Sequence, residues 1–178
     1  MNKRITISTL DDMKASGDKF VMITAYDATF ARLASDAGAE TILVGDSLGM
    51  VLQGHETTIP VSLDAMAYHT ECVARARPHS LIVADLPFMS FSNADDALHA
   101  STRLMQAGAQ MIKLEGGTWL SDSIHRLVER GVPVCAHLGL TPQSVNVFGG
   151  YRVQGRTPKE AKSILADAVE IQDAGANL

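Results

Sequence analysis

Short runs of apolar residues alternate along the chain with longer segments in which apolar residues recur every three or four positions. The short runs have the length of buried β-strands, and the spacing in the longer segments is that of amphipathic helices. We therefore predict five strands, each preceding a helical segment. The predicted strands cover residues 20–25, 41–45, 81–84, 111–114 and 132–136.

Capping signals predict where several helices begin and end. The run Thr-Leu-Asp-Asp at 9–12 matches a capping pattern and Gly17 offers a stop, so a short helix is predicted before the first strand. Asp27 can cap the helix that follows this strand. Thr-Pro-Lys-Glu at 157–160 combines an N-cap, a proline at the first helical position and a capping-box glutamate, which predicts a helix from there onward.

The helical spacing also predicts which residues face the core. In the helix after Asp27 these are Phe30, Leu33, Ala34 and Ala37, and in the helix after Thr157 they are Ala161, Ile164, Leu165, Ala168 and Ile171.

A weak internal repeat supports successive βα units. Ala-Gly-Ala occurs at 37–39, 107–109 and 174–176, and the first two copies each precede a predicted strand. The third copy therefore predicts a sixth strand.

Alternating strands and helices indicate a parallel sheet, either open and doubly wound or closed into a (β/α)8 TIM barrel. Residues 26–29 lack the glycine-rich dinucleotide turn of the open fold, which favours the barrel.

Such barrels typically need about 250 residues. Since the sequence has 178 residues, we expect residues 1–178 to form a single barrel domain that is incomplete at the C-terminus, truncated at the start of strand six.

Composition narrows the classes of partner. The chain is 46% hydrophobic and 20% charged, with a net charge of −5, which fits a soluble domain and disfavours nucleic acid or an anionic membrane as a partner. We find no signal-peptide core and no apolar stretch long enough to span a membrane. Cys72 and Cys135 are distant in sequence, which favours packed thiols in a cytoplasmic protein over a catalytic thiol.

Carboxylates follow three consecutive predicted strands. Asp46, Asp85 and Glu115 stand where neighbouring parallel strands converge, and hard oxygen ligands without a zinc-type Cys or His set suit Mg²⁺. A helix cap is the alternative for each carboxylate taken singly. Three at successive strand ends favour a metal site, because active sites of barrels lie at that end.

Other polar residues accompany the carboxylates. Lys113 lies in an apolar strand, where its ammonium needs an anionic partner, either a substrate carboxylate or a salt bridge to Glu115 or Asp85. His137 could orient a substrate or hydrogen-bond within the barrel. Ser47 lies between two glycines that would let a ligand approach the backbone.

Five segments in order resemble the ketopantoate hydroxymethyltransferase family, and the similarity extends through residues 148–151 to cover essentially the whole chain. The segments are ITAYD at 23–27, VGDSLGM at 44–50, VADLPFM at 83–89, KLEGG at 113–117 and HLGLTPQS at 137–144.

The resemblance implies a (β/α)8 barrel of the phosphoenolpyruvate/pyruvate superfamily, dependence on Mg²⁺, a homodecamer and a cytoplasmic step of pantothenate synthesis. It implies that Asp46 and Asp85 bind the metal and that Glu115 completes the acidic site. It also implies that Asp46, Ser47, Asp85 and Lys113 hold the oxo acid, and we group His137 with these substrate-binding residues. The family's general base is a glutamate that we expect beyond Leu178.

The expected reaction is transfer of a hydroxymethyl group from 5,10-methylenetetrahydrofolate to 3-methyl-2-oxobutanoate, with Mg²⁺ assisting enolisation. A carbon–carbon lyase of the same superfamily is a second hypothesis. A third is a non-catalytic fragment that binds only metal and ligand.

Overall fold

The computed structural model describes residues 4–178. Five parallel strands form one sheet in the order β1-β2-β3-β4-β5, so each strand pairs with its neighbours along the chain. This arrangement confirms the predicted parallel βα organisation. The strands are β1 Met22–Thr24, β2 Thr41–Val44, β3 Leu81–Asp85, β4 Met111–Glu115 and β5 Val134–His137.

Helices connect the strands, and short 3-10 turns at Thr118–Leu120 and Pro142–Ser144 precede two of them. The α-helices are α1 Ile7–Ser16, α2 Ala28–Asp36, α3 Leu48–Val51, α4 Leu63–Arg75, α5 Ala94–Gln106, α6 Ser121–Glu129, α7 Val145–Phe148 and α8 Pro158–Asp173. No helix within residues 4–178 combines the length and apolar character needed to cross a bilayer.

The two faces of the sheet belong to different apolar clusters, because successive side chains of a strand point to opposite faces. Ile82 and Ile112 belong to the larger cluster, which packs the sheet against the helices that follow the strands. Leu81 and Met111 belong to a smaller cluster that contains Leu10 of α1. Helix α1 thus covers the amino-terminal part of the face that a barrel would enclose.

Two of the predicted helix caps are confirmed and one is displaced. Asp27 Oδ1 accepts hydrogen bonds from the backbone N–H groups of Thr29 and Phe30 at 2.7 and 2.9 Å. Thr157 begins α8 with a complete capping box. Helix α1, however, is capped by Thr6, and Thr9 is the third residue of its first turn.

The predicted buried faces of α2 and α8 are partly wrong. Helix α2 buries Ala31, Ala34 and Ser35, whereas Phe30 and Leu33 are 63% and 59% exposed. In α8 Ile171 is buried as predicted, but Leu165 and Ala168 are exposed. Periodicity identifies the apolar side of a helix, but a side chain is buried only where another element of the chain covers it.

After the third Ala-Gly-Ala copy, the chain returns to the sheet beside β5. The backbone N–H of Asn177 donates to the carbonyl oxygen of Val134 at 2.8 Å, and the N–H of Ala136 donates to the carbonyl oxygen of Leu178 at 2.9 Å. Residues 177–178 therefore occupy the place predicted for the sixth strand.

Candidate active site

The six candidate residues lie at or near the carboxyl ends of neighbouring strands. Asp85, Glu115 and His137 are the last residues of β3, β4 and β5, and Lys113 lies two residues before the end of β4. The remaining two, Asp46 and Ser47, lie in the short connection between β2 and α3. The parallel register thus collects on one edge of the sheet residues that lie up to about ninety positions apart.

Lys113 joins two of the carboxylates. Its Nζ lies 2.7 Å from Oδ1 of Asp85 and 3.5 Å from Oε1 of Glu115, and all three residues are buried. The sheet register explains the closer contact, because Asp85 and Lys113 are paired across β3 and β4. The salt-bridge alternative for Lys113 is therefore observed, whereas its contact with a substrate carboxylate stays a prediction.

Glu115 also forms hydrogen bonds with two groups from β5 and the segment after it. Nδ1 of His137 lies 3.2 Å from Oε1 of Glu115, and the backbone N–H of Gln143 donates to Oε2 at 3.1 Å. Glu115 and His137 are register partners on β4 and β5. Of the two hypotheses for His137, the hydrogen bond within the barrel is the one that the structure shows.

Asp46 and Asp85 are in direct contact with each other. The backbone N–H of Asp46 donates to Oδ2 of Asp85 at 3.2 Å. The side-chain amide of Gln143 donates to Oδ2 of Asp46 at 2.8 Å and to the carbonyl oxygen of Leu86 at 2.9 Å. Gln143 thus connects the loops that follow β2, β3 and β5. We call Asp46, Asp85 and Glu115 the acidic centre.

Ser47 forms the border of the acidic centre together with Tyr26. The hydroxyls of Ser47 and Tyr26 are hydrogen-bonded at 2.9 Å. A Cβ at Gly45 would lie 2.7 Å from Oγ of Ser47, so a side chain at this position would displace the Ser47 hydroxyl. Burial is the main cause of the raised pKa of Tyr26, and repulsion from the carboxylates of Asp85 and Asp46 adds to it. The phenol therefore lies within reach of both charges.

Burial and charge shift the pKa values of the centre in different directions. Burial raises the pKa of Asp46 to about 6, and repulsion from Asp85 adds to this effect. Burial also raises the pKa of Asp85, against the opposing charge of Lys113. For Glu115 the effect of burial is outweighed by the hydrogen bond from His137 and the charge of Lys113, so its pKa is lowered.

The pKa of the Lys113 ammonium is raised. Burial alone would lower it, but the negative charges of Asp85 and Glu115 outweigh that effect. Lys113 therefore stays protonated. Three buried carboxylates against one lysine leave net negative charge in a place of low dielectric, which favours a further cation.

This excess charge and the hard carboxylate oxygens of Asp46 and Asp85 fit Mg²⁺. Among residues 4–178, however, no group of three or more His, Cys, Asp or Glu side chains is arranged to hold a metal ion by itself. Lys113 and His137 both contact Oε1 of Glu115, and the backbone N–H of Gln143 donates to its Oε2. The assignment of Asp46, Asp85 and Glu115 as metal ligands stays a prediction.

Two residues of the site were not among the predicted ones. Gln143 lies in a stretch without periodicity, and its contact with Asp46 joins positions 97 residues apart. The other residue is Tyr26, directly after the first predicted strand. One signal was available for both, since each lies within a segment that carried the family resemblance, at 137–144 and at 23–27.

Comparison with known sequences places the whole described chain in one family of proteins. A family model described as ketopantoate hydroxymethyltransferase matches residues 4–178. The 3-methyl-2-oxobutanoate hydroxymethyltransferase of Marinobacter nauticus is 58% identical over 174 residues, covering 98% of this chain and 66% of that protein. The protein of the same name from Burkholderia vietnamiensis is 60% identical, covering 98% and 64%. The chain thus spans about 64–66% of the length of these relatives.

Solved structures with low sequence identity share the fold. A phosphonopyruvate hydrolase, solved in complex with oxalate and Mg²⁺, aligns with a TM-score of 0.72 at 16% identity, covering 96% of this chain and 60% of that one. A 2,3-dimethylmalate lyase of the PEP mutase/isocitrate lyase superfamily aligns with a TM-score of 0.69 at 17% identity, with the same coverage. These likenesses confirm that the five strands belong to the predicted TIM-barrel fold.

Proposed function

Because the chain belongs to the ketopantoate hydroxymethyltransferase family, we propose that it carries the metal-binding and oxo-acid-binding part of that enzyme's site. In the proposed reaction, 3-methyl-2-oxobutanoate, 5,10-methylenetetrahydrofolate and water give 2-dehydropantoate and tetrahydrofolate. The C3–H bond of the oxo acid breaks, and C3 forms a bond to the one-carbon unit. The observation that carries the proposal is the buried acidic centre with Lys113 between two of its carboxylates.

Asp46 and Asp85 are the residues that would hold Mg²⁺, with Glu115 as a further carboxylate of the site. A bound Mg²⁺ would act as a Lewis acid towards the oxo acid and make its C3 proton more acidic. Gln143 holds the carboxylate of Asp46 by its side-chain amide, and the backbone N–H of Asp46 holds that of Asp85. These hydrogen bonds orient both carboxylates before any ligand arrives, which reduces the reorganisation needed on binding.

Lys113 and Ser47 are the groups that would bind the oxo acid itself. Lys113 stays protonated at neutral pH because the carboxylates raise its pKa, so it can offer N–H donors to a substrate carboxylate. Ser47 offers a hydroxyl that Tyr26 already orients. His137, hydrogen-bonded to Glu115, is one-third exposed and could contact the substrate from the β5 side.

The general base is assigned to none of the described residues. The family resemblance predicts a glutamate beyond Leu178, and the relatives extend further than this chain. A positioned base typically contributes about 10²–10⁴-fold to the rate of proton transfer. We propose that the described residues bind and orient the substrate and that this proton is removed by a group outside them.

Assembly and location are also proposed from the family. The resemblance of the five sequence segments implies a homodecamer in the cytoplasm, and we propose both for this protein. Sedimentation equilibrium of the protein would test the decamer, since a decamer and a monomer of 19.0 kDa differ tenfold in mass.

The competing hypotheses differ in what they require of folate. Oxo-acid consumption that needs 5,10-methylenetetrahydrofolate and yields 2-dehydropantoate would support the hydroxymethyltransferase. Cleavage of a larger oxo or hydroxy acid without folate would support the carbon–carbon lyase. Binding of Mg²⁺ and oxo acid without either reaction would support the non-catalytic fragment. NMR of the reaction mixture, with and without the folate, separates the three outcomes.

A further inference from the structure

A cavity of about 140 Å³ adjoins the acidic centre and has no role in the site described above. It lies among the segments that follow β3, β4 and β5. Its lining includes Glu115 of the acidic centre and Gln143, which supports that centre. The remaining lining is Phe88, Met89, Phe91, Ser92, Trp119 and Ser144.

Three large apolar side chains of the cavity lining are exposed to solvent. Phe88 is 40% exposed, Met89 is 63% exposed and Trp119 is 61% exposed. Large apolar side chains left in water beside a polar site mark a place where a ligand or partner is bound. Met89 also has a φ of 61°, in the left-handed region that residues other than glycine seldom adopt. Such strain is concentrated at functional sites.

Trp119 is exposed but held in one orientation. Its ring stacks on that of the buried Phe91, with centroids 6.1 Å apart and planes inclined by 12°. A Cβ at Gly116 would lie only 2.6 to 2.8 Å from atoms of the indole, so the indole rests against the bare backbone of this glycine. Trp119 is therefore held by Phe91 and by the backbone of Gly116 over part of its surface, while 61% of the residue stays exposed.

The turn that carries Trp119 is anchored as well. Asp167 of α8 accepts hydrogen bonds from the backbone N–H of Thr118 at 3.0 Å and from its hydroxyl at 2.6 Å. Packed walls and an anchored turn preorganise the cavity, which lowers the entropy cost of binding.

We propose that this cavity binds the pterin of the one-carbon donor, with Trp119 as the stacking surface for its flat pyrimidinone half. The inference rests on the proposed function, which requires a folate beside the oxo acid. Sites for drug-sized ligands measure roughly 300–1,000 Å³, so 140 Å³ holds a ring system while the rest of the donor lies outside. Aromatic side chains together with the carboxylate of Glu115 and the amide of Gln143 in the lining suit a heteroaromatic ring that carries N–H groups.

The test uses the fact that Trp119 is the only tryptophan of the sequence. Tetrahydrofolate and the ring alone, as 6-methyltetrahydropterin, are titrated into the chain while tryptophan emission is followed. N-acetyltryptophanamide, titrated in parallel, corrects for light absorbed by the probes. We expect a saturable change in emission with both probes. Calorimetric binding of either probe without any change in Trp119 emission would overturn the proposal.

Variants test the stacking contact by calorimetry. Trp119→Ala should weaken binding of both probes about tenfold, since stacking on an aromatic side chain is worth roughly 1–3 kcal/mol per ring, and Trp119→Phe should retain binding within about threefold. Tyr68→Ala is the matched control, because Tyr68 on α4 is equally exposed at 61% and lies outside the cavity. Unchanged probe binding in folded Trp119→Ala would refute the proposal. If that variant does not fold, a tenfold loss in Trp119→Phe or no emission change in the unmodified chain would refute it.

The oxo acid separates this inference from the proposed function. Binding of 3-methyl-2-oxobutanoate with Mg²⁺ should be the same in Trp119→Ala and the unmodified chain. Intact oxo-acid binding without any ring binding would contradict the cavity assignment alone, and ring binding without oxo-acid binding would contradict the proposed function alone. If Trp119→Ala changes only the sedimentation coefficient, the exposed apolar lining is an interface between copies of the chain and the cavity assignment is wrong.

Discussion

Lys113 is the residue on which the charge of the acidic centre depends most. Its ammonium contacts Asp85 and Glu115. Among residues 4–178, the only other side chain that forms an ion pair with these carboxylates is His137, which is a cation only when protonated. A buried pair of this kind stabilises the fold weakly, because the desolvation of both charges offsets most of their attraction. Its value lies in holding a protonated amine where a substrate carboxylate can reach it.

The first prediction concerns Lys113→Ala. The variant should bind 3-methyl-2-oxobutanoate about 10- to 100-fold more weakly, since a hydrogen bond to a charged group contributes roughly 1.5–3 kcal/mol. Its Mg²⁺ affinity should fall less or rise, because the ammonium repels the cation. Calorimetric titration measures both. Lys162→Ala, at an exposed position of α8, is the control, and equal oxo-acid affinity in all three proteins would make Lys113 purely structural.

Cys135 is predicted to react slowly. Burial raises the pKa of its thiol to about 11, and the thiolate is the reactive form. At pH 8, three units below this value, about one thiol in a thousand is ionised. Alkylation of the folded chain by iodoacetamide should therefore be slow and should accelerate about tenfold per pH unit from 8 to 10. Mass spectrometry of the tryptic peptide measures the rate, and labelling at pH 8 as fast as in urea would contradict the prediction.

Among the loops and turns, the segment Pro142–Ser144 supports the acidic centre. Gln143 uses its backbone N–H for Glu115 and its side-chain amide for Asp46 and Leu86. One turn after β5 thus holds the carboxylates of Asp46, which follows β2, and of Glu115, which ends β4.

Gln143→Leu should remove the two amide hydrogen bonds and leave buried acceptors without donors. We expect a loss of about 1–3 kcal/mol in the free energy of unfolding, together with weaker Mg²⁺ binding because Asp46 is no longer oriented. Urea unfolding and Mg²⁺ titration measure the two effects. Gln106→Leu changes an exposed glutamine of α5 in the same way and should cost much less. Equal unfolding midpoints for the two variants would count against the supporting role of Gln143.

The elements show which structural features local sequence encodes. The caps at Asp27 and Thr157 could be predicted because each involves residues within three positions of one another. The strand ends that carry Asp85 and Glu115 could be predicted because apolar runs stop there. The exposure of Phe30 and Leu33 could not be predicted, since it depends on which elements cover α2. The contact of Gln143 with Asp46 depends on how β2 to β5 are arranged in the sheet.

Exposed apolar residues at β1, α2 and α8 govern how the chain as a whole should behave in solution. They are between 37% and 67% exposed, and β1 is an edge strand of the sheet. The set is Val21, Met22, Ile23, Phe30, Leu33, Leu165 and Val169. Apolar surface beside an open sheet edge favours association with other chains.

We therefore predict that the 178-residue chain on its own self-associates. Sedimentation velocity should show species larger than 19.0 kDa, and Leu33→Lys should shift them towards the monomer. Ser163→Lys adds the same charge at an exposed polar position and should have little effect. A monodisperse monomer at tens of micromolar would show that these surfaces do not drive association.

The most direct test of the proposed function is a calorimetric titration of 3-methyl-2-oxobutanoate into the chain, with Mg²⁺ and with EDTA. Circular dichroism first verifies that each variant is folded. Asp85→Asn is compared with Asp11→Asn, which makes the same change at an exposed position of α1. We predict saturable binding only with Mg²⁺, retained in Asp11→Asn and lost in Asp85→Asn. Equal binding with EDTA, or unchanged Mg²⁺-dependent binding in Asp85→Asn, would contradict the assignment of the acidic centre.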